Sequence, residues 1–166
     1  MKYNYDTEKK FLDKVEKCLQ KSGCQIWREV IPDICKDWTQ PYRVDLILYR
    51  ADLGYIGVEG KNINTLRGAK KISTAIDQIN IKYKNQTYFK GNLISKWCIA
   101  APFDVDWISK EALNLTKTFL NNLLNVRYKI SLMEYIDEDK KLGHTESVCI
   151  DSYTKKSLTI GEKNDD

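Results

Sequence analysis

Histidine is almost absent from this 166-residue chain: there is one, His144, beside 27 lysines and arginines and 23 acidic residues. That scarcity limits the catalytic options severely: multi-histidine metal sites lack the imidazoles they need, and a Ser-His or Cys-His pair would have His144 alone to draw on. Any chemistry falls to carboxylates and lysines. His144 itself, in LGHTES, reads as a turn residue with an exposed ring. The five cysteines, at 18, 24, 35, 98 and 149, form no C-x-x-C pair and no zinc or cluster spacing, so they read as reduced thiols. No run of eighteen apolar residues occurs and MKYNYDTEKK lacks the apolar stretch of an export signal, which points to a cytoplasmic protein. The net charge of +4 is compatible with a polyanionic partner and does not establish one.

A hydrophobic content of 42% can build a core at this length, and one domain is expected over residues 1–160, followed by a polar tail, 161–166. Phe11, Leu12, Val15, Cys18 and Leu19 recur at helical spacing over roughly residues 7–22, capped by Asp6 or Thr7 and ended at Ser22-Gly23. Glu8 falls on the same stripe, one turn before Leu12. A strand is expected over 25–31, then a loop whose Pro32 and Pro41 interrupt any continuous element. RVDLILY (43–49) and YIGVEGK (55–61) read as strands of a hairpin, with Asp52-Leu53-Gly54 as its loop and the glycine left-handed. Further elements are a helix over 66–84 with a basic flank, a buried strand over 95–101, a helix over 109–125 and a strand over 126–135. TESVCI suggests another short strand, and DEDKKLGHTE a loop. This order implies an α/β fold, a mixed sheet covered by helices.

Side chains alternate across a strand, so Glu59 and Lys61 share one face while Ile56 and Val58 take the other. With the loop at 52–54, the antiparallel register places Asp45 opposite Lys61 and diagonal to Glu59. Both acids sit in otherwise apolar strands, and two buried carboxylates are costly unless a cation joins them. Magnesium, with its preference for oxygen ligands, suits the pair better than a transition metal. Such a set fits phosphodiester hydrolysis: Asp45 and Glu59 hold the ion, which activates a water, and Lys61 orients that water and offsets phosphoryl charge. Gly57 and Gly60 would leave room beside Glu59 for a substrate backbone, and Glu8 is a further ligand acting through water.

Asp45, thirteen residues, then Glu59-Gly60-Lys61 resembles the D-x(n)-E-x-K signature of the PD-(D/E)XK nuclease superfamily, and the order of elements over about 7–101 resembles its αβββαβ core. The resemblance implies a restriction-endonuclease-like fold and a magnesium-dependent DNA endonuclease, with manganese as a substitute ion. The implied ligands are Asp45, Glu59, the backbone carbonyl of Gly60 and Glu8. Glu8 on the first helix and Gln78 on the helix after the lysine resemble the Holliday-junction-resolvase and RecB-like branches, which implies branched or structured DNA as partner. The RecB-like branch often carries a tyrosine shortly after its glutamine, and here Tyr83 follows Gln78 by five residues. Many such domains pair so that two sites address two strands; a homodimer is compatible with this sequence, which identifies no interface.

Blander readings compete. Asp45 could pair with Arg43 or Arg50, Glu8 could serve only the helix dipole, and Lys70, Lys71, Lys82 and Lys84 could be a solvated helix face. Arg43 and Arg67 could grip phosphate or brace the acids. In the loop at 32–42, Lys36, Trp38 and Tyr42 could reach nucleic acid or pack on the sheet. A non-catalytic nucleic-acid-binding domain and a ribonuclease are the rival functions.

Overall fold

The computed structural model describes residues 8–61, 68–102, 118–140, 143–151 and 158–161, without the side chains of 68–70, 137–140 and 143–145. The first helix, α1 (Glu8–Lys21), buries the anticipated stripe Phe11, Leu12, Val15, Cys18 and Leu19. It ends where Gly23 adopts a left-handed φ of 82° and Cys24 N–H reaches back to Leu19 O at 3.1 Å. Strands β1 (Gln25–Val30), β2 (Val44–Arg50) and β3 (Gly54–Gly60) follow as an antiparallel meander.

After β3 come α2 (Gly68–Asp77), a π-helical turn (Gln78–Tyr83), a short hairpin of β4 (Tyr88–Phe89) and β5 (Asn92–Leu93), and β6 (Lys96–Ala101). Residues 118–123 are helical and run into a second π turn, Leu124–Tyr128. Strands β7 (Ser131–Lys140), β8 (Gly143–Ile150) and β9 (Leu158–Gly161) complete the described chain. The sheet order is β1-β2-β3-β6-β7-β8-β9, with β3, β6 and β7 parallel and the other pairs antiparallel. The fold is therefore mixed α/β, a mixed sheet with helices packed on it.

Two apolar layers sandwich the sheet. Leu46, Leu48, Ile56, Val58, Cys98 and Ala100 face α1, while Ile47, Trp97, Ile99 and Ala101 face the side of Ile72, Ala75, Ile79 and Tyr83. Glu59 and Lys61 share the parity of the second layer, and Tyr83 of that layer feels the charges of both Glu59 and Asp45, so the site belongs to the α2 side. All five cysteines are buried and free. No described helix is long and apolar enough to cross a membrane.

Several expectations need correction. The strand expected over 126–135 starts later, because 124–128 finish a helix and Lys129 turns left-handed at φ 55°. DEDKKLGHTE is not a loop: β7 and β8 pair through Lys140 and Gly143, which places His144 in a strand opposite Asp139. Gly161, assigned to the tail, is the last residue of β9. The loop at 31–43 contains a single 3-10 turn, Asp33–Cys35. The expected helix over 66–84 is α-helical only to Asp77; 62–67, with Arg67, lie outside the described residues.

Candidate phosphodiesterase site

Hairpin geometry fixes the first relationship. Leu53 N–H closes a turn onto Arg50 O at 2.9 Å, and Gly54, left-handed at φ 73°, already pairs with Arg50. The loop is thus 51–53, one residue earlier than expected, and the register shifts by two. The ladder ends with Leu46 opposite Val58, which brings the Asp45 end of β2 toward Glu59 and Gly60 rather than Lys61. Because the slip is two residues, the side chains of the paired residues keep their facing.

Each carboxylate has a distinct environment. Asp45 Oδ2 accepts the Gly60 N–H at 2.9 Å. Burial pushes the Asp45 carboxyl above its ordinary range, against the opposing pull of the Gly60 amide and of Lys61. Glu59 is 3% exposed; Lys61 Nζ approaches its Oε1 at 3.4 Å, and its Oε2 is buried with no hydrogen-bond partner. Burial first, and then the charge of Asp45, raise Glu59 from an ordinary value of 4.5 to about 7. Lys61, 9% exposed, is held by its own N–H on Ala100 O at 2.9 Å, which extends the line of β3 past Gly60.

That last bond also orients a carbonyl. Lys61 N–H points toward β6, so the main-chain groups of Gly60 point the other way, as its N–H bond to Asp45 requires. The Gly60 carbonyl therefore faces the Asp45 side, clear of the β6 ladder. Neither neighbouring glycine opens space for a substrate, contrary to expectation. A Cβ on Gly57 would fall 2.4 Å from Trp97 Cζ3, and one on Gly60 2.5 Å from Leu12 Cδ2. Both glycines serve packing.

The packing of Leu12 on Gly60 brings the start of α1 to the end of β3, and Glu8, one turn earlier, raises the pKa of both Asp45 and Glu59. Among the described residues no three Asp, Glu, His or Cys groups form a metal-holding cluster, and Glu8 bears on the two acids through its charge. Arg50 does not brace Asp45; it pairs with Asp52 at 2.6 Å. Arg43 is exposed on its side chain, and its carbonyl accepts the Tyr83 hydroxyl at 3.0 Å.

The spacing of Gln78 and Tyr83 is explained by the π turn. Lys84 N–H bonds to Ile79 O at 2.7 Å, a five-residue step that widens the helix, so residues five apart share a face as residues four apart do in an α-helix. Tyr83 is buried and stacked on Trp97 with ring centroids 5.2 Å apart. Burial, with the charges of Glu59 and Asp45, drives its phenol well above the ordinary range. Gln78 is half-buried on that face and its Oε1 is buried without a partner.

The chain matches no protein-family model, no curated protein and no solved structure.

Glu134 escaped the sequence reading. Buried on β7, it pairs with Ala101, the neighbour in β6 of the Lys61 position, and so shares the sheet face and the sheet end of the two acids. The signal was an acid two residues after Leu132 in the strand run SLMEY. Lys71 and Lys82 are exposed, whereas Lys84 donates to Tyr128 O at 2.9 Å and so anchors structure.

Proposed function

We propose that this chain is a magnesium-dependent DNA endonuclease of the PD-(D/E)XK type, with a restriction-endonuclease-like core formed by α1, β1, β2, β3, α2 and β6. The observation that carries the reading is the buried, unpartnered Oε2 of Glu59 beside Asp45, with Lys61 at 3.4 Å from the other oxygen. Two ionised carboxylates in that position repel each other, and a divalent cation is the simplest group that would satisfy both. The donors fit a hard ion: Asp45, Glu59 and the Gly60 carbonyl offer oxygen only, and magnesium is commonly held by one or two carboxylates with waters and substrate phosphate completing its shell. Manganese would fit the same donors.

The bound ion would supply Lewis acidity to a phosphodiester and to the attacking water. The residues supply the rest. Lys61, fixed between the Ala100 carbonyl and Glu59, presents its ammonium to the attacking water and to charge developing on the phosphoryl oxygens. Asp45 holds the Gly60 peptide in place, and with it the orientation of Glu59. Tyr83 and Gln78 wall the site from the π turn, with Gln78 Oε1 available to accept from water or substrate. Glu8 bears on the site through charge or an intervening water.

The test is cleavage of end-labelled linear, flapped and four-way-junction DNA with Mg²⁺, Mn²⁺ or EDTA by wild type and the Asp45→Ala, Glu59→Ala and Lys61→Ala variants. Metal-dependent cutting that each variant loses supports the assignment. An inactive folded wild type, or variants with full activity, would favour a non-catalytic nucleic-acid-binding domain. Preferential cutting of RNA would move the reading to a ribonuclease on the same site.

A further inference from the structure

The loop between β1 and β2 holds a large aromatic side chain out in solvent. Trp38 is 51% exposed, yet the backbone beneath it is braced. Its N–H donates to Cys35 O at 3.1 Å, and the buried Cys35 thiol lies 3.4 Å from Pro32 O and 3.8 Å from Tyr42 O. Lys36 pairs with Asp33 at 2.8 Å, and Asp33 also accepts the Gly91 N–H at 3.4 Å, which ties the loop to the β4–β5 hairpin. An indole presented on a braced loop is prepared for a flat partner, because little ordering remains to be done on binding.

A line of rings leads from that indole to the acids. Trp38 meets Tyr42 edge-on at 6.1 Å, and Tyr42 lies tilted on Tyr83 at 5.4 Å. Tyr83 in turn feels the charge of Glu59 and Asp45. The two ring steps span a few nucleotides at the roughly 3.4 Å per nucleotide of a B-form strand. Arg43 and Lys82, next in the chain to Tyr42 and Tyr83, are exposed cations open to a phosphate backbone.

We propose that Trp38 is a stacking platform for an unpaired nucleobase, and that the DNA reaching Asp45 and Glu59 therefore carries a single-stranded segment. The inference rests on the phosphodiesterase reading for the position of the scissile phosphate. Bases inside a duplex are covered on both faces; an open indole takes a base only where a face is free, and it does so with little regard to sequence.

The experiment is fluorescence anisotropy in EDTA, with labelled single-stranded DNA, blunt duplex and duplex bearing a single-stranded overhang, against wild type, Trp38→Ala and Trp38→Phe. Wild type is expected to favour the single strand and the overhang over the blunt duplex. Trp38→Ala should lose roughly 5- to 100-fold on those two ligands and less than about twofold on the duplex, while Trp38→Phe keeps most of the affinity. Unchanged single-strand affinity in Trp38→Ala, a wild-type preference for blunt duplex, or no DNA binding at all would overturn the inference. Since no turnover is needed, an inactive wild type that still binds single strands through Trp38 defeats only the nuclease reading. An active enzyme whose binding ignores Trp38 defeats only this one.

Discussion

Asp45 accepts the main-chain N–H of Gly60 at 2.9 Å, so a carboxylate on β2 clamps the peptide that directly follows Glu59 on β3. The bond couples the two acids through backbone, and it separates two consequences of changing Asp45. Asn at this position keeps an acceptor for the amide and removes a negative charge, whereas Ala leaves the N–H without its partner. Asp45→Asn is expected to match or exceed the metal-free wild type in stability, and Asp45→Ala to lose about 1–3 kcal/mol, both measured by urea unfolding.

Glu59 gives the chain a pH dependence opposite in sign to that of an acid in a salt bridge. Its folded pKa is raised from 4.5 to about 7, so between those values the folded chain holds a proton that the unfolded chain has released. Stability therefore falls as pH rises through that window, by on the order of 3 kcal/mol for a shift of this size. The raised carboxyl of Asp45 acts in the same direction. Thermal melts in EDTA from pH 4.5 to 8 should show the decline, Glu59→Gln should flatten it, and millimolar Mg²⁺ should reverse it by joining the ionised pair.

Gly57 and Gly60 are expected to differ when each becomes alanine. The new methyl at 57 meets the ring of Trp97, which is itself stacked on Tyr83 and cannot yield, while the methyl at 60 meets the end of the Leu12 side chain. Gly57→Ala should lose about 1–3 kcal/mol or more, and Gly60→Ala less. In a denaturant series, Leu12→Ala should offset part of the Gly60→Ala loss and none of the Gly57→Ala loss. Equal and negligible costs would mean that the glycines answer to something other than packing.

The π turn invites a deletion. Ile81 is 74% exposed inside Gln78–Tyr83, and removing it would return the turn to α-helical spacing with Gln78 and Tyr83 still on one face. The deletion should cost no more than about 1–2 kcal/mol in thermal unfolding, whereas an alanine inserted after Ile81 should rotate Tyr83 off Trp97 and cost more.

The sequence made the facing of the site legible, and much less of its register. Period-two alternation places Glu59 and Lys61 on one side whatever the loop length, and the stripe from Phe11 to Leu19 specifies α1 unaided. The register that turns the Asp45 end of β2 toward Glu59 depended on where Gly54 enters the ladder, a shift of the loop by one residue that local composition does not settle. Gly57 and Gly60 looked like open space because their occupants, Trp97 and Leu12, come from distant chain. Tyr83 sat five residues from Gln78, one too many for an α-helical face, and only the widened turn aligns them. The hairpin of β4 and β5 went unread because each strand is two residues long. Strands β7 and β8 run through charged residues, DEDK and GHTE, where pairing between neighbours outweighs composition.

Single-turnover cleavage of end-labelled DNA in Mg²⁺ and in EDTA, comparing wild type with a folded Lys61→Ala, tests the central claim most directly. Cutting by wild type that EDTA abolishes is expected, with a rate for Lys61→Ala lower by about a hundredfold or more, the loss typical when a group that stabilises transition-state charge is removed. Cutting that survives EDTA, or a Lys61→Ala rate equal to wild type, would contradict it.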